Sequence, residues 1–278
     1  MIRRFLLLGL LLLNAAVRLP AAEPVVLFNG RDLTGWRAWL GRPPATMEVP
    51  GLARGADGKY TEVLGYDRDT YGVFSVVTVD GAPAIRISGQ ITGGLVSPAV
   101  RGNYRLRLRY KWGAPPAKGR SNSGVAYHVY GEQSARQTWA TSHEFQVRVG
   151  EAGDYWAQGD VLADIPCKPG VKDPVYATDG SVATFGAPGI RHCEKGSLAE
   201  SPPDQWTQLE LVCYDGQSVQ LINGREQLRI VKSQRRTEAG PVPLKEGRFM
   251  LQSEGGEIFM RDIELTPLTA PPPELAAK

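Results

Sequence analysis

Residues 104–112 read YRLRLRYKW, and apolar and charged side chains alternate strictly from Tyr104 to Tyr110. Successive side chains of an extended strand point to opposite faces. Tyr104, Leu106 and Leu108 therefore share one face, while Arg105 and Arg107 share the other. This pattern predicts a β-strand in a sheet whose apolar face is buried and whose cationic face meets water or a cleft.

Shorter stretches with strand character recur along the chain, and no stretch keeps a helical period of 3.6 residues over three turns. Asp215-Gly216 and Asn223-Gly224 are turn dipeptides that separate consecutive antiparallel strands. The 32 glycines and 21 prolines also favour many short strands. We therefore expect an all-β sandwich in a single domain, residues 23–268. The clearest strand signals lie at 73–79, 84–88, 124–130, 144–149, 208–214, 219–222 and 248–254.

Two segments depart from this pattern. Residues 150–205 are rich in Gly, Pro and Asp and show little alternation, which predicts a long loop excursion. Loops of that length usually have a function. Residues 269–278 are expected to form a disordered tail.

The N-terminal 22 residues have the composition of a secretory signal peptide. Arg3 and Arg4 precede an apolar run that is too short to span a membrane comfortably, and small residues precede Glu23. We therefore expect export to the periplasm or the extracellular space. The segment carries three of the 32 basic residues and none of the 29 acidic ones, so the mature chain has no net charge. This balance argues against nucleic acid or an anionic membrane as a partner.

Three cysteines remain after export. In an oxidising compartment two of them can pair. Cys167 and Cys193 both lie in loop-like sequence, which favours a disulfide between them. Cys213 lies in an apolar strand pattern, where a buried thiol acts as a small hydrophobic group.

The densest group of chemically active side chains lies between residues 120 and 156. In the stretch EFQVRV, Glu144, Gln146 and Arg148 share one face. If this strand pairs with GVAYHVY, His128 becomes a cross-strand neighbour of Glu144 or Gln146. Such a pair can act as a general base or bind a metal. The alternative is a solvated outer face, with His128 as an ordinary partnered surface residue.

Five segments, in order, resemble the 3-keto-disaccharide hydrolase domain family, and together they extend from residue 28 to residue 265. They are FNGRDLTGW (28–36), SNSGVAYHVYG (121–131), HEFQVRVGEAGDYW (143–156), DQWTQLELVCYDGQSVQLINGRE (204–226) and LQSEGGEIFMRDIEL (251–265).

The resemblance implies a concanavalin-like β-jelly-roll of two curved antiparallel sheets, one of which binds sugar on its concave face. It also implies an enzyme that acts on glycosides oxidised at C3. A C3 ketone acidifies the proton at C2, a base removes that proton, and the enolate expels the aglycone from C1. Addition of water then completes net hydrolysis. A sugar 3-dehydrogenase is a possible functional partner, and the oligomeric state is not implied.

The resemblance also suggests roles for individual residues. Glu144 and His128 are expected as the base and the acid, or as ligands of one divalent metal, with no nucleotide or organic cofactor. A non-catalytic, lectin-like carbohydrate-binding domain is the main alternative, and a structural surface domain is a third. The residues expected to shape the sugar pocket are Asn122, Trp139, Gln146, Asp154, Tyr155, Trp156, His192 and Glu254.

Overall fold

A computed structural model describes residues 23–134 and 138–275, and within these ranges every regular element except one 3₁₀ turn is a strand. The predicted signal peptide, 1–22, lies outside the described residues. None of the described residues forms a helix that is long and apolar enough to cross a membrane.

The strands are numbered in chain order. The first ten are β1 (Val25–Val26), β2 (Arg37–Leu40), β3 (Gly65–Tyr66), β4 (Phe74–Val79), β5 (Ala82–Ile87), β6 (Gly93–Val96), β7 (Tyr104–Trp112), β8 (Gly124–Tyr130), β9 (Thr141–Gln146) and β10 (Tyr155–Gln158). The others are β11 (Val161–Lys168), β12 (Val175–Tyr176), β13 (Ser181–Phe185), β14 (His192–Cys193), β15 (Thr207–Tyr214), β16 (Gln217–Ile222), β17 (Arg225–Ile230), β18 (Lys232–Arg235), β19 (Val242–Pro243), β20 (Arg248–Ser253) and β21 (Ile258–Pro267).

These strands form three sheets, and the strands within each sheet pair antiparallel. The first sheet has the order β17-β16-β15-β7-β21-β5-β4, with β1 on β21. The second sheet has the order β14-β10-β9-β8-β20-β6-β2-β3. The third and smaller sheet has the order β12-β11-β18-β19, with β13 on β11. The expected all-β sandwich of antiparallel sheets is confirmed.

The core lies between the first and second sheets. The apolar side chains of YRLRLRYKW are buried there, while its arginines lie on the opposite face, as the alternation predicts. Phe145 of β9 and Leu251 of β20 enter the same core from the second sheet. The large side chains that meet between the two sheets exclude water from the interior and stabilise the fold.

The segment 150–205 is more regular than its composition predicts, because it contains the five strands β10 to β14. Two of these strands are only two residues long, so they leave no visible alternation in the sequence. Strands β11 to β13 help to build the third sheet, and β10 and β14 extend one edge of the second. The excursion is therefore a folded extension of the sandwich.

The C-terminal residues up to 275, part of the segment expected to be a disordered tail, make contacts with the first sheet. Pro273–Leu275 forms the 3₁₀ turn, and the Glu274 carboxylate accepts a hydrogen bond of 2.7 Å from Arg105. Leu275 packs against the apolar outer residues Val212 and Leu221 of the first sheet. This part of the segment therefore covers an apolar patch on the first sheet.

The predicted disulfide is absent, since Cys167, Cys193 and Cys213 are all free thiols. Cys167 lies on β11 of the third sheet, and Cys193 lies on β14 at the edge of the second, so each belongs to a different ladder. They are near enough for Cys167 to help raise the pKa of Cys193, although burial contributes more. All three thiols are buried.

Candidate functional site

Strand β9 divides its polar residues between the two faces of the second sheet. His143 and Phe145 point into the core, so Ser142, Glu144 and Gln146 point to the opposite face, which we call the outer face. Glu144 is only 2% exposed. Its cross-strand neighbours are Ala126 on β8 and Trp156 on β10.

Amide groups surround the Glu144 carboxylate. Burial raises the pKa of Glu144, because the charged form loses hydration. The side-chain amides of Gln158 and Gln252 oppose this change, and so do the charges of Arg191 and His192. Gln158 donates its Nε2–H to Oε2 of Glu144. These contacts stabilise a buried carboxylate in its ionised form.

Glu254, just after β20, is the second carboxylate of the site. Burial is the main cause that raises the pKa of Glu254 to about 8, and the charge of Glu144 adds to it, while Arg148 lowers it. Asn122 Nδ2 donates to Glu254 Oε2 at 2.7 Å. The two glutamates therefore interact electrostatically, and at neutral pH Glu254 retains the proton.

Gln252 of β20 lies between the Glu144 carboxylate and Gly124 of β8. It is fully buried, yet neither its amide nitrogen nor its amide oxygen makes a well-formed hydrogen bond to any described residue. A Cβ atom on Gly124 would lie 2.3 Å from Gln252 Oε1. Glycine at position 124 therefore leaves room for the Gln252 amide, which interacts with the Glu144 carboxylate and opposes the rise in its pKa.

His128 is not part of this site, so its expected pairing with Glu144 is wrong. The ladder between β8 and β9 shifts register between Tyr127 and Tyr130, and His128 has a φ of 50°. This β-bulge reverses the alternation, so that His128 follows Tyr127 into the core while Val129 joins Ala126 in the outer cluster. The predicted metal pair of His128 and Glu144 fails for the same reason.

The core side of β8 to β10 instead holds two neutral histidines. His128 is 1% exposed, and burial lowers its pKa to about 4 against the opposing effect of the Leu244 and Gly102 backbone. Neither ring nitrogen makes a well-formed hydrogen bond within the described part of the chain. Burial also lowers the pKa of His143, whose Nε2 lies 2.6 Å from Ser233 Oγ. Ser233 donates its own proton to the Leu244 carbonyl, so Nε2 of His143 carries the hydrogen.

Tyr155 belongs to the same core network, which corrects its expected place in a sugar pocket. It is fully buried, and its hydroxyl lies 2.9 Å from Nδ1 of His143, to which it donates. Because Tyr155 opposes Phe145 in the ladder, it faces the core. The neighbouring Trp156 faces the other way.

Trp156 and His192 line a cleft of about 790 Å³ beside the glutamate pair. Their rings stack with centroids 4.4 Å apart. His192 Nε2 lies 3.1 Å from Asp154 Oδ2, and its Nδ1 lies 2.9 Å from Asp173 Oδ2. Burial disfavours the charged imidazole, but these two carboxylates raise the pKa of His192 on balance.

The cleft is predominantly polar. Asp154 also accepts hydrogen bonds from the backbone and the ammonium of Lys195, so its charge is fully paired. Arg148 lines the cleft and also acts on Glu254, which connects the cleft with the glutamate pair. The lining residues are Arg120, Arg148, Gly150, Glu151, Asp154, Trp156, Lys172, Asp173, His192, Glu194, Lys195, Gly196, Ser197 and Leu198.

Two further predicted residues lie on the outer face. Trp139 packs against a small apolar cluster that includes Ala126 and Met250. Gln146 is buried, and its Oε1 accepts the backbone N–H groups of Val147 and Arg148. These local hydrogen bonds give Gln146 a role in holding the end of β9.

Sequence reasoning missed Gln158 and Gln252 as site residues, while it placed Arg148 on the face of Glu144 without giving it a role. Gln252 carried a usable signal, because it alternates with Leu251 and Ser253 in a recognisable strand. Gln158 lies in a segment that was expected to be a loop, so its face could not be assigned. Within residues 23–134 and 138–275, no group of three or more His, Cys, Asp and Glu side chains could hold a metal ion.

Comparisons with known proteins give distant matches to solved structures and one match to a family model. No curated protein matches the chain. A solved structure from Parabacteroides distasonis, provisionally assigned as a glycosyl hydrolase, is 18% identical; the match covers 88% of this chain and 94% of that one, with a TM-score of 0.48. A carbohydrate-binding module from Bacillus subtilis is 10% identical over 69% of this chain and 91% of that one, with a TM-score of 0.37.

A protein of unknown function with a galectin-like fold, also from Bacillus subtilis, is 10% identical over 70% of this chain and 86% of that one, with a TM-score of 0.39. A family model gives the decisive match, which begins after the predicted signal peptide and ends in β21. It confirms the resemblance found in the five sequence segments. The chain belongs to the family of 3-keto-alpha-glucoside-1,2-lyase-like domains, whose model matches residues 23–266.

Proposed function

We propose that this protein cleaves 3-keto-glycosides at the pair formed by Glu144 and Glu254. Membership of the family supports a carbohydrate-active role. The observation that carries the specific proposal is the coupling of two buried carboxylates whose different neighbours favour different protonation states. Such a pair supplies a base and an acid at the same pH.

Glu144 is the base in this proposal. The amides and cations around it favour its ionised form, while burial raises its pKa toward the range that suits a general base. It takes the C2 proton of the sugar, which the neighbouring C3 ketone makes acidic. A side-chain amide carries two N–H donors, so the Gln252 amide can interact with Glu144 and also stabilise the negative charge that develops on the ketone oxygen.

Glu254 is the acid. With a pKa of about 8 it is protonated at neutral pH, and it transfers its proton to the C1 oxygen as the aglycone leaves. The resulting enone then adds water: Glu254, now ionised, takes a proton from the water that attacks C1, and Glu144 returns its proton to C2. The sum of these steps is hydrolysis. If the enone is released before water adds to it, the reaction is that of a lyase.

The leaving unit occupies the cleft beside Trp156 in this proposal. Trp156 opposes Glu144 in the β10–β9 ladder, and the same tryptophan lines the cleft. An indole ring with charged donors and acceptors around it suits a polyhydroxylated ring. The N–H of Trp156 is buried and makes no hydrogen bond to a described residue, so it can donate to such a ring only after a local shift of the indole.

One divalent metal ion belongs to an alternative form of the proposal, in which both glutamates are ionised and the metal takes the place of the proton on Glu254. Two carboxylates lie near Asn122 Oδ1 and Gln252 Oε1, and neither amide oxygen has a partner among the described residues. Hard divalent cations prefer such oxygen ligands. When bound, a metal at this place would polarise the ketone.

Two features of the biological setting belong to the proposal. The N-terminal segment directs the protein out of the cytoplasm. A ketone at C3 has to be made from an alcohol by a two-electron oxidation, so a sugar 3-dehydrogenase supplies the substrate.

A second candidate function is the direct hydrolysis of ordinary glycosides. The same observation favours it, because most glycosidases use one protonated and one ionised carboxyl group. In that case the C3 hydroxyl needs no oxidation. A lectin-like role without catalysis is the third outcome that an experiment has to distinguish.

The test compares turnover of a 3-keto-glucoside and of its unoxidised parent, each with a chromogenic leaving group. We expect cleavage of the keto substrate alone, its loss in Glu144→Gln and Glu254→Gln, and normal activity in Glu264→Gln, whose side chain is exposed on the first sheet. Cleavage of the parent compound would establish the glycosidase, and binding without cleavage would establish the lectin. Loss of activity with a chelator, restored by Mn²⁺ or Ca²⁺, would support the metal.

A further inference from the structure

Arg191 makes an unusual set of contacts for an arginine beside a catalytic carboxylate. Its Nη2 donates to Gln158 Oε1 at 2.7 Å, and its Nε donates to the Ala157 carbonyl at 2.8 Å. It forms no ion pair with a carboxylate of any described residue within 4 Å. Its charge is therefore directed at an amide that itself contacts Glu144.

The guanidinium is firmly anchored. Besides the side-chain contact, the Ala157 N–H donates to the Arg191 carbonyl at 2.8 Å, so backbone and side chain both attach to the same residue of β10. Gln158, the next residue of β10, is only 8% exposed. The geometry between Arg191 and Gln158 is thus fixed by the edge of the second sheet.

These contacts determine which way the Gln158 amide points. A guanidinium can only donate hydrogen bonds, so it must face the amide oxygen. The amide nitrogen then faces Glu144 and donates to Oε2. In the flipped orientation two oxygen atoms would face each other at Glu144, and the carboxylate would lose its donor.

We infer that Arg191 and Gln158 form a positioning relay, in which Arg191 fixes the orientation of the Gln158 amide and Gln158 holds the Glu144 carboxylate ready to accept a proton. Neither residue needs to touch the reacting sugar. The relay rests on the proposed function only for its effect on catalysis, since its effect on the ionisation of Glu144 is a property of the protein alone.

The relay also accounts for part of the folded excursion between residues 150 and 205. Arg191 immediately precedes β14, which pairs with β10 through Trp156 and Tyr155. The chain therefore leaves the second sheet after β10, builds part of the third sheet, and returns to place Arg191 against Gln158.

A double-mutant cycle tests the relay. The variants are Arg191→Met, Gln158→Leu and the combination, with Arg109→Met, which changes an exposed arginine on the first sheet, as the control. The first readout is the pKa of Glu144, measured by carbon-13 NMR of the protein with labelled glutamate. The resonance of Glu144 is assigned by its loss in Glu144→Gln. The second readout is kcat and KM for a 3-keto-glucoside.

We expect each single variant to raise the pKa of Glu144 by about one unit and to lower kcat about ten-fold, with KM little changed. The double variant should be no worse than either single variant, because both changes remove the same contact with Glu144. The control should leave both readouts unchanged.

Additive effects would overturn the relay, because they would mean that Arg191 acts on Glu144 through its charge alone. A rise in KM with unchanged kcat would also overturn it, since Arg191 would then bind substrate directly. If the wild type cleaves no keto substrate, the proposed function fails, while the NMR readout still decides the relay.

Discussion

His128 and Glu144 lie on opposite faces of the second sheet, although the strands that carry them are hydrogen-bonded neighbours. A bulge between Tyr127 and Tyr130 separates them. It leaves His128 among core aromatic rings and Glu144 beside Glu254. The proposed chemistry therefore uses two carboxylates and their amide neighbours, without a histidine as base.

The first prediction concerns His128. Its pKa is about 4 in the folded protein and near 6.5 in the unfolded chain, so the unfolded state binds more protons between these values. His128 thus destabilises the fold as the pH falls from 6.5 towards 4. At pH 5 the cost is about 2 kcal/mol.

His128→Asn removes this titration, and asparagine tolerates a positive φ. We expect its free energy of unfolding to fall less than that of the wild type between pH 7 and pH 5, measured in urea, and its activity to persist. An unchanged pH dependence of stability would contradict the assignment.

The second prediction concerns the acid limb of catalysis. Because the pKa of Glu254 is raised to about 8, its proton is present below that pH and is lost above it. We expect kcat/KM to fall about ten-fold per pH unit above pH 8. Glu254→Gln should lower kcat/KM by a factor of 100 or more and remove this limb. A wild-type profile that stays flat to pH 10 would exclude Glu254 as the acid.

The third prediction uses the contact between Gly124 and Gln252. Gly124→Ala places a Cβ 2.3 Å from Gln252 Oε1, so the amide has to move. We expect lower kcat and a lower Tm. Adding Gln252→Ala should restore the Tm, because the clash is relieved, but not kcat. Recovery of both in the double variant would show that Gln252 has no catalytic role.

The fourth prediction concerns the clasp between His192 and two aspartates. Both ring nitrogens face carboxylate oxygens, and a neutral imidazole can donate to only one of them. The contacts are complete while the raised pKa keeps His192 charged, and one is lost as the pH rises through that pKa. We expect Asp173→Asn to lower the pKa of His192, measured by nitrogen-15 NMR. An unchanged titration would mean that Asp173 contributes nothing to the clasp.

Much of the fold was predictable because alternation is a local property. YRLRLRYKW has its faces as predicted, and Glu144 lies with Gln146 on one side of β9. The bulge at His128 was not predictable from GVAYHVY, since a single inserted residue leaves no signal in composition. Gly247, just before β20, leaves room for this bulge. A Cβ atom at position 247 would lie 2.4 Å from the His128 backbone.

The contacts that define the site were harder to predict than the strands. Arg191 and Gln158 are 33 residues apart, and Asn122 and Glu254 are 132 apart. Such contacts depend on how residues 150–205 fold back onto the second sheet and on the order of the strands in that sheet. Neither can be inferred from the spacing of residues in the sequence.

The measurement that tests the central claim most directly is hydrogen exchange at C2. A 3-keto-glucoside with a carbon-linked aglycone, which cannot leave, is incubated with the protein in D₂O, and deuterium at C2 is followed by proton NMR against a sample without protein. The account predicts rapid exchange with the wild type and with Glu254→Gln, and none above background with Glu144→Gln. Cleavage of the oxygen-linked substrate by a wild type that catalyses no exchange would contradict proton abstraction by Glu144.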